Sequence, residues 1–220
     1  MKKNIIVATF ILLFLFSSEL SYSQGITNQH KQLIENKFIQ KQQIEIEPVI
    51  SNCQKVAKIT GWDLEISKYF VNEAENRGVL IFDEAIPIIS KETGGTYDFN
   101  LIHYNTNGTK DVGIFQINDV TKQDIVKLLK AEGRKFDSWS RLNPEFNISG
   151  GLYWMSYLKG KGLEGHKLFT SYNRGITGAK NYASRNGTYI SRYSRDVIKA
   201  RSEINNVINN QQNIKINVDK

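Results

Sequence analysis

The chain has 220 residues, 40% of them hydrophobic and 23% charged, with a formal net charge of +7. That length suffices for one domain burying roughly 70% of its unfolded surface. A single cysteine excludes an internal disulfide, and isolated histidines with no HExxH or paired-cysteine spacing argue against a metal site or other cofactor; no basic run is interleaved with aromatics, which argues against nucleic acid as partner.

The N-terminus reads as a secretory signal over residues 1–23. Lys2 and Lys3 precede an apolar run from Ile5 to Phe16, and Ser21 and Ser23 stand at −3 and −1 of a cut before Gln24. A retained anchor is the rival reading, but the run is shorter than the roughly 20 residues that span a bilayer. Cleavage removes Lys2, Lys3 and Glu19, leaving a charge of +6. A basic exported protein, periplasmic or extracellular, is drawn to anionic wall polymers, although spread charges also make an ordinary solvated surface. Cys53 lies far from the cut, against a lipid-bearing N-terminus, and reads as a small buried apolar residue. Residues 24–61 form an N-terminal extension in which Ile34, Phe38 and Ile39 have loose helical spacing.

A domain over residues 62–200 follows. Leu64, Ile66, Phe70, Val71 and Ala74 fit one helix face closed by Gly78. A second helix is expected across Asp83–Thr93, with Pro87 near its first turn and Gly94-Gly95 at its end. Leu101–Tyr104 and Val112–Ile117 are strand-like, and Asn107-Gly108 between them favours a hairpin turn. Helical spacing returns at Ile125, Leu128 and Leu129. Asn143-Pro144 is a helix start, with Asn as cap and Pro in the first position. Further helices are expected over Leu163–Tyr172 and from Tyr189 to about Asn205, and residues 201–220 form a polar tail, amide-rich and expected to be mobile beyond Asn206. The fold class is mainly α with a small β-hairpin.

Glu92 is the residue with chemical promise. It shares a helical face with Ala85, Ile88 and Ile89, so the face that carries it is the one that buries. Desolvation favours the neutral carboxyl and raises its pKa, and the negative end of the helix dipole acts in the same sense. A carboxyl protonated at neutral pH can protonate a glycosidic oxygen. Taken alone, Glu92 reads rather as a helix-end residue with a packed stem and a solvated head.

Three stretches sharpen the choice: Glu92-Thr93-Gly94-Gly95, Gly113-Ile114-Phe115-Gln116-Ile117-Asn118 and Ser171-Tyr172-Asn173-Arg174-Gly175. Asn147-Ile148-Ser149-Gly150-Gly151 lies between the last two, and Thr188-Tyr189-Ile190 follows. In this order they resemble the SLT lytic transglycosylases, which cleave bacterial peptidoglycan with one catalytic glutamate on a lysozyme-like helical fold. The similarity spans roughly residues 62–200. Each motif alone is weak, whereas five in order are specific. Two departures accompany it: the Glu92-to-Gly113 interval is longer than usual, and Asn105 or Thr106 stands near the family's usual Ser.

The resemblance implies that Glu92 is the acid and then the base. It implies that Gln116, Asn118, Tyr172, Asn173 and Tyr189 meet the substrate or support the site. Amides in a turn can instead satisfy backbone groups, and a tyrosine can be a core residue with a satisfied hydroxyl. Trp154 reads as core rather than as a sugar platform. A two-carboxylate hydrolase needs a second acid at fixed separation. Asp111 precedes Val112-Gly113 as a turn-supporting Asp does in the matching lysozyme segment, and Asp98 has no family counterpart. The single-acid route to a 1,6-anhydro product, without cofactor, therefore fits better. A hydrolytic muramidase and a non-catalytic wall-binding part of a secretion or conjugation apparatus remain the alternatives. The expected partner is a peptidoglycan strand, and the expected state is a monomer.

Overall fold

A computed structural model describes residue 32 and residues 52–218, with side chains through residue 209. The signal at 1–23 and most of the 24–61 extension lie outside the described residues; of the latter, a helix, α1, is described over residues 52–60.

α2, Leu64–Asn76, starts where the Asp63 carboxylate accepts from the Ile66 N–H at 2.8 Å. It ends at Gly78, in the left-handed region at φ 63°. A π-turn, Ile81–Ala85, leads directly into α3, Ile86–Thr93, with Pro87 in the first turn as expected. The chain then makes a three-stranded antiparallel sheet of β1 (Ile102–Tyr104), β2 (Lys110–Val112) and β3 (Ile117–Asn118). Its register pairs Ile102 with Val112 and Val112 with Ile117. The strand expected over Val112–Ile117 is thus broken: only its ends pair, and residues 113–116 form a turn. The cause is Gly113, at φ 79°, followed by Gln116 at φ 45°.

α4, Asp119–Ala131, is capped by Asn118, and α5, Pro144–Gly160, by Asn143. α6, Gly165–Asn186, runs well past Tyr172, where a helix end was expected; its interruption comes at Gly175, which is non-helical at φ 68° and ψ 166°. α7, Arg192–Val218, continues through the stretch expected as a tail. As far as residue 209 a buried stripe accompanies it: Val197, Ile204 and Ile208 recur at seven and four residues and pack inward.

α3 is the hub. Ile86, Ile88 and Ile89 are fully buried, and the helix packs chiefly on α7. Four consecutive residues, from Ile86 to Ile89, are buried, so the first turn of the helix is enclosed on all sides, whereas Lys91 in its last turn is exposed. Phe70 and Val71 from α2, Phe146, Leu152 and Met155 from α5, and Leu168 and Phe169 from α6 complete the core. Cys53 is buried and free. Replacing one of the buried isoleucines of α3 by Ala should cost about 2–5 kcal/mol.

Candidate active site

Glu92 stands in the last turn of α3, and the sequence after it fixes how the helix stops. The Thr93 hydroxyl donates to the Ile89 carbonyl at 2.8 Å and accepts from the Tyr97 N–H at 3.1 Å. Gly94 and Gly95, at φ 60° and 82°, then turn the chain away. Glu92 thereby lines a cleft of about 330 Å³.

The turn between β2 and β3 makes the facing wall. Asn147 from α5 is fully buried, holds it by two bonds and makes a third to the segment before α5. Its amide NH2 donates to the Val112 carbonyl at 2.9 Å and the Arg141 carbonyl at 2.8 Å, while its oxygen accepts from the Phe115 N–H at 3.1 Å. Arg141 adds bonds to the Lys110 and Ile117 carbonyls, both at 2.7 Å, and a contact with the Asp119 carboxylate. A Cβ at Gly113 would collide with the Asn147 amide, and one at Gly151 with the Phe115 ring. The two glycines are therefore required by close approach.

Five of the six residues singled out from sequence line this one cleft: Glu92, Gln116, Asn118, Tyr172 and Asn173. Their tasks differ. The Gln116 amide donates to the Gly113 carbonyl at 2.7 Å, closing its own turn. Asn118 is spent more fully. Its oxygen accepts from the Val120 N–H at 3.0 Å, capping α4, and its NH2 donates to Asp111 at 2.6 Å and Thr109 at 3.1 Å. The turn-satisfying alternative thus describes Asn118 and the donor side of Gln116. Asn173 is exposed on the cleft wall. The Tyr172 hydroxyl donates to the Phe115 carbonyl at 2.9 Å, tying α6 to the turn instead of touching Glu92.

Tyr189 is not among the cleft-lining residues. Its carbonyl accepts from the Thr170 hydroxyl at 2.6 Å, and Lys167 lies over its ring at 5.5 Å. The tyrosine that meets the acid is Tyr193, whose hydroxyl donates to Glu92 Oε1 at 2.5 Å. Sequence reasoning missed it, although a signal exists: Tyr193 stands four residues before buried Val197, on the inward face of α7. Tyr189 precedes that helix. Trp154, expected in the core, is half-buried and lines the cleft.

The electrostatics follow from this enclosure. Burial pushes the Glu92 carboxyl up from its ordinary range to about 7; the Tyr193 hydrogen bond opposes the shift, nearby Asp111 adds to it, and Lys91 opposes it weakly. Tyr172 and Tyr193 are held well above the usual phenol range, mainly by burial and then by Glu92, so both are O–H donors at neutral pH. Asp111 lines the same cleft, but both its oxygens are engaged, one by Asn105 at 2.9 Å and the other by Asn118 at 2.6 Å. Asp98 accepts from the Asn100 N–H at 2.8 Å and is exposed, so it braces a loop. Among the described residues no cluster of metal-ligating side chains is found.

These relations set the sign of two substitutions. Tyr193→Phe removes a bond that favours the carboxylate, so the alkaline limb of a Glu92-dependent rate should move to higher pH. Asp111→Asn removes a repelling charge and should move that limb to lower pH. Rate profiles of the two variants against the wild type check both directions.

A model of the transglycosylase SLT domain matches residues 84–195, just over half of the chain. The match begins in the π-turn before α3 and ends two residues after Tyr193. A search among curated proteins finds no match.

Proposed function

We propose, since the chain belongs to the transglycosylase SLT domain family, that it is an exported lytic transglycosylase whose single acid–base is Glu92. Family membership makes it a peptidoglycan-acting protein of the lytic transglycosylase type. The observation that carries the finer reading is a cleft-lining carboxyl that burial raises to about 7. At neutral pH such a group is present in substantial amount both as acid and as base, and a two-step reaction needs one form after the other.

In the first step the Glu92 proton passes to the glycosidic oxygen, and the bond from that oxygen to the MurNAc anomeric carbon breaks. The acetamido oxygen of the same sugar closes on the anomeric carbon and takes up the positive charge. In the second step the sugar's 6-hydroxyl oxygen attacks that carbon and displaces the acetamido oxygen. Its proton returns to the Glu92 carboxylate. The ring so formed is 1,6-anhydro-MurNAc, and no water is consumed. Tyr193 orients the carboxyl and favours its ionised form between the steps, and exposed Asn173 can bond the acetamido or hydroxyl groups of the sugar.

Asp111 favours a second reading, hydrolysis, because it places another carboxylate in the cleft. Against it, the Asn105 and Asn118 amides hold that carboxylate to the sheet. Digestion of purified sacculi in heavy-oxygen water separates the two. Unlabelled products one water lighter than hydrolysed muropeptides are expected; solvent oxygen at most new ends would establish a muramidase and make Asp111 the next residue to replace.

Export rests on Lys2, Lys3 and the Ile5–Phe16 run. Fractionation of cells expressing the full chain should yield a protein beginning at Gln24 outside the cytoplasm. Uncleaved protein in the membrane would overturn that reading.

A further inference from the structure

Tyr193 is the second residue of α7, in a first turn whose backbone N–H groups have no partners within the helix. Helix ends of this kind fray unless something outside the helix fixes them. Yet the Tyr193 hydroxyl meets Glu92 Oε1 at 2.5 Å. In a helix of about 3.6 residues per turn, a slip of one position would swing the ring roughly 100° away. The start of α7 therefore needs an anchor, and a set of buried hydroxyls supplies one.

Thr170 of α6, Ser191 just before α7 and Ser194 in its first turn are all buried. The Ser191 hydroxyl oxygen accepts from the Ser194 N–H at 3.1 Å, which caps the helix. The Ser194 hydroxyl donates back to the Ser191 carbonyl at 3.0 Å, and Nδ1 of half-buried His166 lies 2.9 Å from that hydroxyl. On the other side, the Ser191 and Thr170 hydroxyls are 2.9 Å apart, and Thr170 donates to the Tyr189 carbonyl at 2.6 Å. With the Thr170 proton on that carbonyl, Ser191 donates to Thr170. With His166 protonated at Nδ1, all three hydroxyls then donate once and accept once. A buried polar network satisfied in this way is rigid. It ties α6 to the chain on both sides of Tyr193, at Tyr189 and Ser191 before it and at Ser194 after it. None of these four network side chains lines the cleft.

We propose that Thr170 and Ser191 are positioning residues, which fix the phase of α7 so that Tyr193 meets Glu92. This rests on the reading of Glu92 as the acid–base. The other groups that act on the carboxyl are Asp111 of β2, Tyr172 of α6 and Lys91 of α3, the last paired with Asp196 of α7 at 2.9 Å. Their own hydrogen bonds run to Asn105 and Asn118, to the Phe115 carbonyl and to Asp196, away from the hydroxyl network. Loss of the network thus reaches Glu92 through Tyr193.

The test follows the Glu92 carboxyl by carbon-13 NMR titration in the full chain. Thr170→Val keeps the shape of the side chain and removes the hydroxyl. The Glu92 midpoint should rise, in the direction expected for Tyr193→Phe, because a carboxylate that loses its donor is less favoured. Thr170→Ser restores the hydroxyl and should return the midpoint to the wild-type value. In a Tyr193→Phe background, Thr170→Val should add no further rise. General loosening has the opposite sign, since water admitted to the carboxyl lowers its midpoint. An unmoved or lowered midpoint in Thr170→Val therefore overturns the proposal, as does an equal rise with and without the Tyr193 hydroxyl. If Thr170→Val does not fold, Ser191→Gly is read by the same criteria, with Ser191→Thr as the rescue, because Gly is well tolerated at a helix cap. A wild-type midpoint near 4.5 overturns the reading of Glu92 and this proposal with it. A wild-type midpoint near 7 that Thr170→Val leaves in place overturns this proposal alone.

Discussion

Glu92→Gln should abolish sacculus clearing, by about 10²–10⁴-fold per folded molecule, the range that positioned acid–base groups supply. Glutamine keeps the shape and can still accept the Tyr193 hydrogen bond, but it neither delivers nor takes a proton. The same substitution should stabilise the protein in alkali. The folded carboxyl has a pKa of about 7 against an ordinary 4.5. As pH rises from 4.5 to 7, the unfolded chain gives up this proton while the folded chain holds it, so wild-type stability falls through that window and levels off above it. Gln has no such loss. Glu92→Gln should therefore melt above the wild type at pH 8 and lose its advantage by pH 4. Thermal melts at the two pH values check the sign. A variant that clears sacculi at near-wild-type rate would remove Glu92 from the chemistry.

Asn147→Ala is the substitution with the largest expected effect on the fold. It leaves the Val112 and Arg141 carbonyls and the Phe115 N–H without their partner. An unpaired buried polar group costs about 1–3 kcal/mol, so a total of roughly 3–5 kcal/mol is expected after partial relaxation and entry of water. The damage should reach activity as well, because the Phe115 carbonyl is the acceptor for Tyr172. Urea unfolding, with activity per folded molecule measured alongside, separates the two. Tyr172→Phe should lose about 1–2 kcal/mol through the same carbonyl, with a smaller fall in turnover than Glu92→Gln.

Much of this site was legible because its parts are local. The end of α3 is written in consecutive residues: buried isoleucines set the face, Thr93 ties the last turn, and two glycines release the chain. The cap at Asn143 is equally local. What the sequence hid is non-local. Tyr189 and Tyr193 are both tyrosines near an expected helix, and only the phase of α7, set by Val197, Ile204 and Ile208, shows which one faces Glu92. The break of the second strand into a turn depends on Asn147, far along the chain, occupying the space a Cβ at Gly113 would need. Trp154 reads as core among its apolar neighbours, yet it lines the cleft together with Gly175, where α6 is interrupted. The continuation of α7 past Asn205 was hidden for a related reason: apolar residues are few there, and Ile204 and Ile208 are buried among polar neighbours.

Catalysis by Glu92 depends on a carboxyl held protonated by burial, and the ionisation of that carboxyl can be observed without substrate. Carbon-13 NMR titration of side-chain-labelled glutamate, with the Glu92 signal assigned by its absence in Glu92→Gln, follows one group through pH. A midpoint near 7 is predicted, moving upward in Tyr193→Phe and downward in Asp111→Asn. A midpoint near 4.5, unmoved by either substitution, would mean a solvated helix-end carboxylate and would contradict the central claim.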